Sequence, residues 1–371
     1  MKTVKLKDIS INNRGYYGIG ASAVDYDENK FTYLRITDIN DDGSLNKNGL
    51  MSVDDEKSDQ YLLEKNDIVF ARTGASTGRN YFYDGEINNM VYAGFLIKFS
   101  LNPELVNPKF VKYYCLSQKY KEWISSSLTG STRPNINEKQ LSEMPIELPD
   151  RFYQDKVVEI LDSIAQKIRL NNDTNNNLYE EAVTLYKVKF KGIGQGKKTI
   201  GDYMVPKRGK NLLTRDAIDG DTPVVAGGID PSAYHNQFNT KSPVITISAS
   251  GANAGYINLW NIPVWASDCS YIDDSITKNV YFWYIVLKTR QNEIFDAQTG
   301  SAQPHIYPQH IAEMSISELN IAEVEKYNSL VAPLFKMIGE NQKENKKLSQ
   351  LRDILLPKLM NGEIDLDSIE I

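Results

Sequence analysis

Cysteine is nearly missing from this chain of 371 residues: only Cys115 and Cys269 occur. Two thiols so far apart in sequence cannot frame a disulfide-stapled fold, and their scarcity suits a reducing cytoplasm. Histidine is almost as scarce. His235, His305 and His310 fall in no zinc-ligand spacing, so no metal site is expected. No run of about 18 apolar residues occurs, which argues against a membrane-spanning helix, and the opening MKTVKLKDIS lacks the apolar stretch of a signal peptide. Positive charge is in deficit too, with 42 Lys and Arg against 48 Asp and Glu, a formal charge of −6. That disfavours binding a polyanion over the whole surface, but leaves room for a basic cleft on an acidic body. The length suffices for two domains of ordinary size, each with its own core.

What the chain has is an internal repeat. Leu128-Thr-Gly-Ser-Thr-Arg-Pro-Asn-Ile136 returns as Gln298-Thr-Gly-Ser-Ala-Gln-Pro-His-Ile306, and both copies run on to Glu-Met at 143–144 and 313–314. Phe70-Ala-Arg-Thr-Gly-Ala-Ser-Thr-Gly78 is answered by Ile247-Ser-Ala-Ser-Gly-Ala-Asn-Ala-Gly255. Each glycine-rich loop follows an apolar, β-branched run, 67–70 and 243–247, which reads as a buried strand entering a tight turn. The starts align Val4–Ile9 and Arg14-Gly15 with Lys198–Tyr203 and Arg208-Gly209. Each half is therefore a strand-rich domain followed by a long helix.

The helices carry heptad seams. Val157, Leu161, Ile164, Ile168, Asn171, Asn175, Leu178, Ala182 and Leu185 alternate spacings of four and three, and an offset of 170 residues gives Tyr327, Val331, Leu334, Ile338, Asn341, Asn345, Leu348, Arg352 and Leu355. Asparagine in such a seam weakens packing but penalises misregistered partners, which leave its amide unpaired. The four asparagines, Asn171, Asn175, Asn341 and Asn345, are thus candidates for setting the register of an antiparallel helix pair, with Asn171 facing Asn341 at its centre. A solvated loop over 171–177, breaking each helix, is the alternative.

Residue types suited to phosphate or base-edge contact cluster in matching places. In the first half they are Arg14 and Tyr16 beside Tyr17, then Arg72, Thr73, Ser76, Thr77 and Arg79, then Ser131, Thr132 and Arg133. In the second half they are Lys207, Arg208 and Lys210, then Ser250 and Asn253, then Ser301, Gln303 and His305. For any one of them, a turn role or simple exposure explains the residue as well. Ser250, Asn253 and Tyr256 replace Thr73, Ser76 and Arg79, a divergence that reading two different sequences requires and that drift would also produce.

Enzyme-like strings fail on physical detail. Asn107-Pro-Lys-Phe110 approaches an amino-methyltransferase motif, but Lys109 stands where a second proline belongs, and Asn107-Pro108 suits a helix start. Gly192–Thr199 is one residue short of a phosphate-binding loop and follows a helix, so a flexible linker is the better reading. Asp150 suits a helix N-cap more than a nuclease site. No catalytic residue and no cofactor is expected.

Taken together, the chain resembles the specificity subunits of type I restriction–modification systems. The duplicated layout carries the likeness, with the TGS-x-x-P-x-I segment of each half and the terminal Leu355-Leu-Pro-Lys-Leu-Met-Asn-Gly-Glu-Ile364. The resemblance implies an α+β fold in which two pseudo-two-fold-related target recognition domains are separated by two long helices forming an antiparallel coiled coil. It places the first domain at 1–149, a spacer helix at 150–191, the second domain at 192–319, and a second spacer helix with its tail at 320–371. It implies double-stranded DNA, two methyltransferase (modification) subunits and an ATP-dependent restriction subunit as partners, the modification subunits docking on exposed apolar residues such as Ile160, Phe190, Leu330 and Leu359. A system whose partner fuses methyltransferase and nuclease, or a standalone adenine methyltransferase, are the alternatives.

Overall fold

The computed structural model describes residues 1–128, 134–300, 303–364 and 366. The chain forms two compact units, Met1–Gln166 with Leu348–Ile371, and Lys167–Lys347. Both mix sheets and helices, an α+β fold, and both are built on one plan.

In the first unit a four-stranded antiparallel sheet runs in the order Tyr16–Tyr17, Leu96–Ser100, Asp67–Ala71, Asn80–Tyr83. Its central strand, Asp67–Ala71, is buried throughout because it serves two cores. Ile68 and Phe70 point into one cluster, while Val69 and Ala71 join another, as the two-residue period of a strand requires. A second sheet, Ala23–Val24, Met51–Val53, Phe31–Leu34, Met90–Tyr92, contains one parallel pair. Lys2–Lys5 and Pro145–Leu148 close the unit as an antiparallel ladder.

The second unit repeats the first sheet as Lys207–Arg208, Cys269–Asp273, Val244–Ser248, Ile257–Trp260. Its second sheet has three strands, again with one parallel pair, and Lys198–Thr199 pairs with Ser315–Ile316 to close it. The two buried strands expected before the glycine loops are therefore present. The alignment of the starts needs correction. Gly18 N–H donates to Leu96 O and Gly209 N–H to the matching Cys269 O, so Gly18, not Gly15, answers Gly209, and Arg208 occupies the rung of Tyr17.

The long helices run unbroken over Arg151–Lys189 and Ile321–Met360, so the solvated loop at 171–177 does not form. Asp150 caps the first, accepting from Tyr153 N–H at 2.9 Å. Asn107 likewise caps the helix Pro108–Tyr114, with Pro108 in its first turn where a missing N–H costs nothing. In the first unit Val157 and Leu161 share a core with Leu356 and Leu359, and Tyr153 donates to Leu359 O. In the second unit Ala182 O accepts from the buried Tyr327 hydroxyl at 2.8 Å, while Tyr186, Phe190, Phe282 and Tyr327 pack ring against ring.

Asn175 meets Asn341 and Asn171 meets Asn345, the second helix descending as the first ascends, so this stretch pairs antiparallel. The expected facing of Asn171 with Asn341 is wrong by one helical turn. Asn171 donates to Asn345 Oδ1 and Glu344 Oε2, both at 2.8 Å, and Asn341 donates to Asn175 Oδ1 at 2.8 Å. The reason is chemical: Asn171 is buried, and this register gives it two acceptors, one of them the Glu344 carboxylate that also pairs with Lys167.

Two more expectations fail. Gly192–Thr199 is a packed turn, not a flexible linker: Ile193 is buried, and Ser315 and Ser317 donate to the turn's carbonyls. Of the apolar residues expected on the surface, Leu330 is exposed, but Leu359 is buried, Phe190 lies in the aromatic cluster and Ile160 packs on the first unit's core. Among the described residues no helix is long and apolar enough to cross a membrane.

Candidate nucleic-acid interface

In each unit the glycine loop is clamped by the second half of the TG-containing repeat. Gly74 N–H donates to Pro134 O at 3.1 Å, Thr73 bridges Asn135, and Ile136 N–H donates back to Arg72 O at 2.9 Å. In the second unit Gly251 N–H donates to Pro304 O at 3.1 Å, Ser250 bridges His305, and Ile306 N–H donates to Ala249 O at 3.0 Å. Each loop then turns back on its own strand: Gly78 N–H reaches Ala71 O and Gly255 N–H reaches Ser248 O, both at 2.8 Å. Gly74 and Gly251 have φ of +74° and +81°, Gly78 and Gly255 of +89° and +85°, in the left-handed region open to glycine.

The clamp joins clusters that lie far apart in sequence. In the first unit the Arg72 guanidinium lies over the Tyr17 ring, 5.2 Å from its centroid, and the Tyr17 hydroxyl accepts from Glu138 N–H. Arg14 lies over Tyr16 at 4.5 Å. Buried Nε of Arg72 has no hydrogen-bond partner among the described residues. Arg79 is different: its Nε donates to Asp41 at 2.6 Å and its Nη1 to Ile39 O, so its charge is already matched. Thr77 Oγ1 donates to Gly74 O and Pro134 O, and Ser76 Oγ to Thr73 O, which makes these hydroxyls loop fasteners in the free protein. Ser131, Thr132 and Arg133 lie outside the described residues, as does Ser301.

In the second unit Lys207, Arg208 and Lys210 are exposed at the sheet edge. Arg208 pairs with Asp268, whose other carboxylate oxygen accepts from Ser250 Oγ, tying this edge to the glycine loop. His305 stacks on the exposed Tyr307, 6.0 Å between centroids, beside the exposed Gln303. Asn253 is half-buried in the loop, its carbonyl accepting from Tyr256 N–H as Ser76 accepts from Arg79 N–H.

Sequence reasoning missed Asp41, Phe95, Glu138 and Asp268. A faint signal existed for two of them, since Tyr92-Ala-Gly-Phe-Leu96 lines up with Trp265-Ala-Ser-Asp-Cys269, which places Phe95 opposite Asp268. Asp41 and Glu138 act through geometry that no local pattern announces. Cys115 and Cys269 are both free and buried, and burial pushes both thiols up, Cys269 to about 12.

Each of the two α+β units thus offers hydroxyl, amide and cationic groups around a loop clamped at a sheet edge. A family model described as the type I restriction modification DNA specificity domain matches residues 1–180. The type I restriction enzyme HindI specificity subunit of Haemophilus influenzae is 26% identical over 402 aligned positions, covering 81% of this chain and 87% of that one. The MjaIX specificity subunit of Methanocaldococcus jannaschii is 24% identical, covering 70% of each. The crystal structure of the type I S subunit from M. genitalium superposes with a TM-score of 0.59 at 20% identity, covering 96% of this chain and 95% of that one, which supports the fold. The chain is thus similar to type I restriction–modification specificity subunits, over residues 1–180 by the family model and over most of its length by these relatives.

Proposed function

We propose that this chain reads a bipartite DNA sequence and directs methylation and restriction by partner subunits, carrying out no chemistry itself. The observation behind this reading is the same three-segment clamp built twice with different side chains: Thr73, Ser76 and Arg79 in one loop, Ser250, Asn253 and Tyr256 in the other. Two clamps with one backbone and two chemistries suit two unlike half-sites. The recognition domains are 1–149 and 192–319, and the spacer helices 150–191 and 320–371. DNA contacts fall to Arg14, Tyr16, Arg72, Thr73, Ser76, Thr77, Arg79, Ser131, Thr132 and Arg133, and to Lys207, Arg208, Lys210, Ser250, Asn253, Ser301, Gln303 and His305.

The helices form an antiparallel coiled coil that sets the half-site gap. The seam from Val157 to Leu185 is about 42 Å long at about 1.5 Å per residue, or roughly 12 base pairs. The partners are two methyltransferase subunits and an ATP-driven restriction subunit, in the cytoplasm. Footprinting of the chain assembled with modification subunits should protect two short segments about one helical turn apart. A single protected segment, or none, would overturn the reading.

A further inference from the structure

At the sheet edge the second unit has an ion pair where the first has none among the described residues. Asp268 and Phe95 occupy the same loop position, each giving its carbonyl to the residue after the central strand: Ala249 N–H at 3.2 Å and Arg72 N–H at 3.0 Å. Arg208 and Tyr17 share a rung beside Ser270 and Ile97. The second unit thus holds a triad, in which Arg208 Nη2 and Ser250 Oγ each donate to one oxygen of the Asp268 carboxylate. The first unit has Tyr17, Thr73 and Phe95 in those places, and its cation, Arg72, makes no ion pair among the described residues.

The side chains of Arg208 and Asp268 are 43% and 35% exposed, so solvent screens the pair and its contribution to folding is small. What the pair does supply is direction. Held through one Nη2–H, with the carboxylate held in turn by Ser250, the guanidinium keeps the other Nη2–H and its neighbouring donor on Nε or Nη1, neither of which has a partner among the described residues, as a fork. Guanine presents O6 and N7 as two adjacent acceptors, which a fixed guanidinium fork meets in parallel. An unheld arginine would instead follow the phosphates, which are nearer and more strongly charged.

Building on the DNA-reading assignment above, we propose that Arg208 reads a guanine in one half of the target and that Asp268 is its positioning residue. The carboxylate cancels the charge that would otherwise hold Arg208 on the backbone, trading general affinity for base discrimination. The two halves of the site are then read under different electrostatics, one through a compensated arginine and the other through Arg72 laid on an aromatic ring.

The test uses full-length wild type and the variants Arg208→Ala, Arg208→Lys, Asp268→Asn and Asp268→Ala. Each selects from a randomised duplex library, and each binds the wild-type motif and a scrambled duplex over a range of salt. Arg208→Ala should lose the preference for one guanine in one half only, with affinity for the motif falling roughly 5- to 150-fold. Arg208→Lys keeps the charge but not the fork, so it should hold its affinity for scrambled DNA while losing that preference. Both Asp268 variants should bind scrambled DNA more tightly, with a salt slope steeper by about one, and discriminate less at the same guanine. Asp268→Asn preserves shape and carries the test should Asp268→Ala not fold. An unchanged motif in Arg208→Ala overturns the guanine assignment, and Asp268 variants with unaltered slope and motif overturn the positioning role. If wild type enriches no motif at all, the DNA-reading assignment fails first and this inference with it.

Discussion

Gly78 turns the first loop back under the helix Gln118–Ser127, and a Cβ there would lie 2.7 Å from Ile124 Cγ2. Gly74, four residues earlier and also at positive φ, faces open space. The two positions separate backbone strain from crowding. Gly74→Ala should cost about 1 kcal/mol, the strain of a left-handed alanine alone, while Gly78→Ala adds overpacking and should cost roughly 2–4 kcal/mol. Urea denaturation midpoints compare them, and equal shifts would show that the Ile124 contact does not govern the turn. The arginines of the same loop separate too. Arg79 is matched by Asp41, whereas Arg72 has no carboxylate bonded to it among the described residues. Arg72→Ala should therefore weaken DNA binding more than Arg79→Ala in a competition titration on the cognate duplex. The reverse order would place the DNA on the Asp41 side of the loop.

At the scale of the helix pair, the asparagines are proposed to set the register. Asn171 is buried, and its amide nitrogen bonds both Asn345 and Glu344. Asn171→Ala leaves those acceptors short of a donor and should destabilise the second unit by about 1–3 kcal/mol. Replacing Asn171 and Asn345 together by leucine removes both amides of the rung and leaves Glu344 and the exposed Asn172 to solvent, so the pair should be neutral or stabilising although each single change is costly. A double-mutant cycle by thermal unfolding reads the coupling. Additive effects would mean that the amides do not act as a pair. Stability gained in this way should loosen the register, since an all-apolar seam slides without leaving a polar group unpaired.

At the scale of the whole molecule, the helices are expected to measure DNA. Seven residues inserted into both seams, at positions related by the 170-residue offset, preserve the heptad phase and add about 10.5 Å. The gap between half-sites should lengthen by about three base pairs with both half-sites unchanged. Methylation mapping of cells carrying the lengthened subunit reports gap and half-sites together. A lengthened subunit that methylates the original gap would show that the helices do not set it.

The duplication, the strand-rich halves and the two seams were legible in one dimension, because each rests on a pattern along the chain. A buried strand before a glycine turn, or apolar residues every three and four positions, can be read from one stretch of chain. The caps at Asp150 and Asn107 were legible for the same reason, since a cap bonds its own next turn. Which distant groups meet is settled by the fold in space. The asparagine rung could not be read from the spacing, because Asn171–Asn341 and Asn171–Asn345 satisfy the same heptad pattern, and the choice falls to Glu344 on the facing helix. Arg208 and Arg72 look alike as sequence, each a cation near a glycine. The fold puts an aspartate 60 residues away against one and a tyrosine ring beneath the other. Charge and ring contacts depend on distance in space, and only the paired strands and clamped loops bring those residues within it.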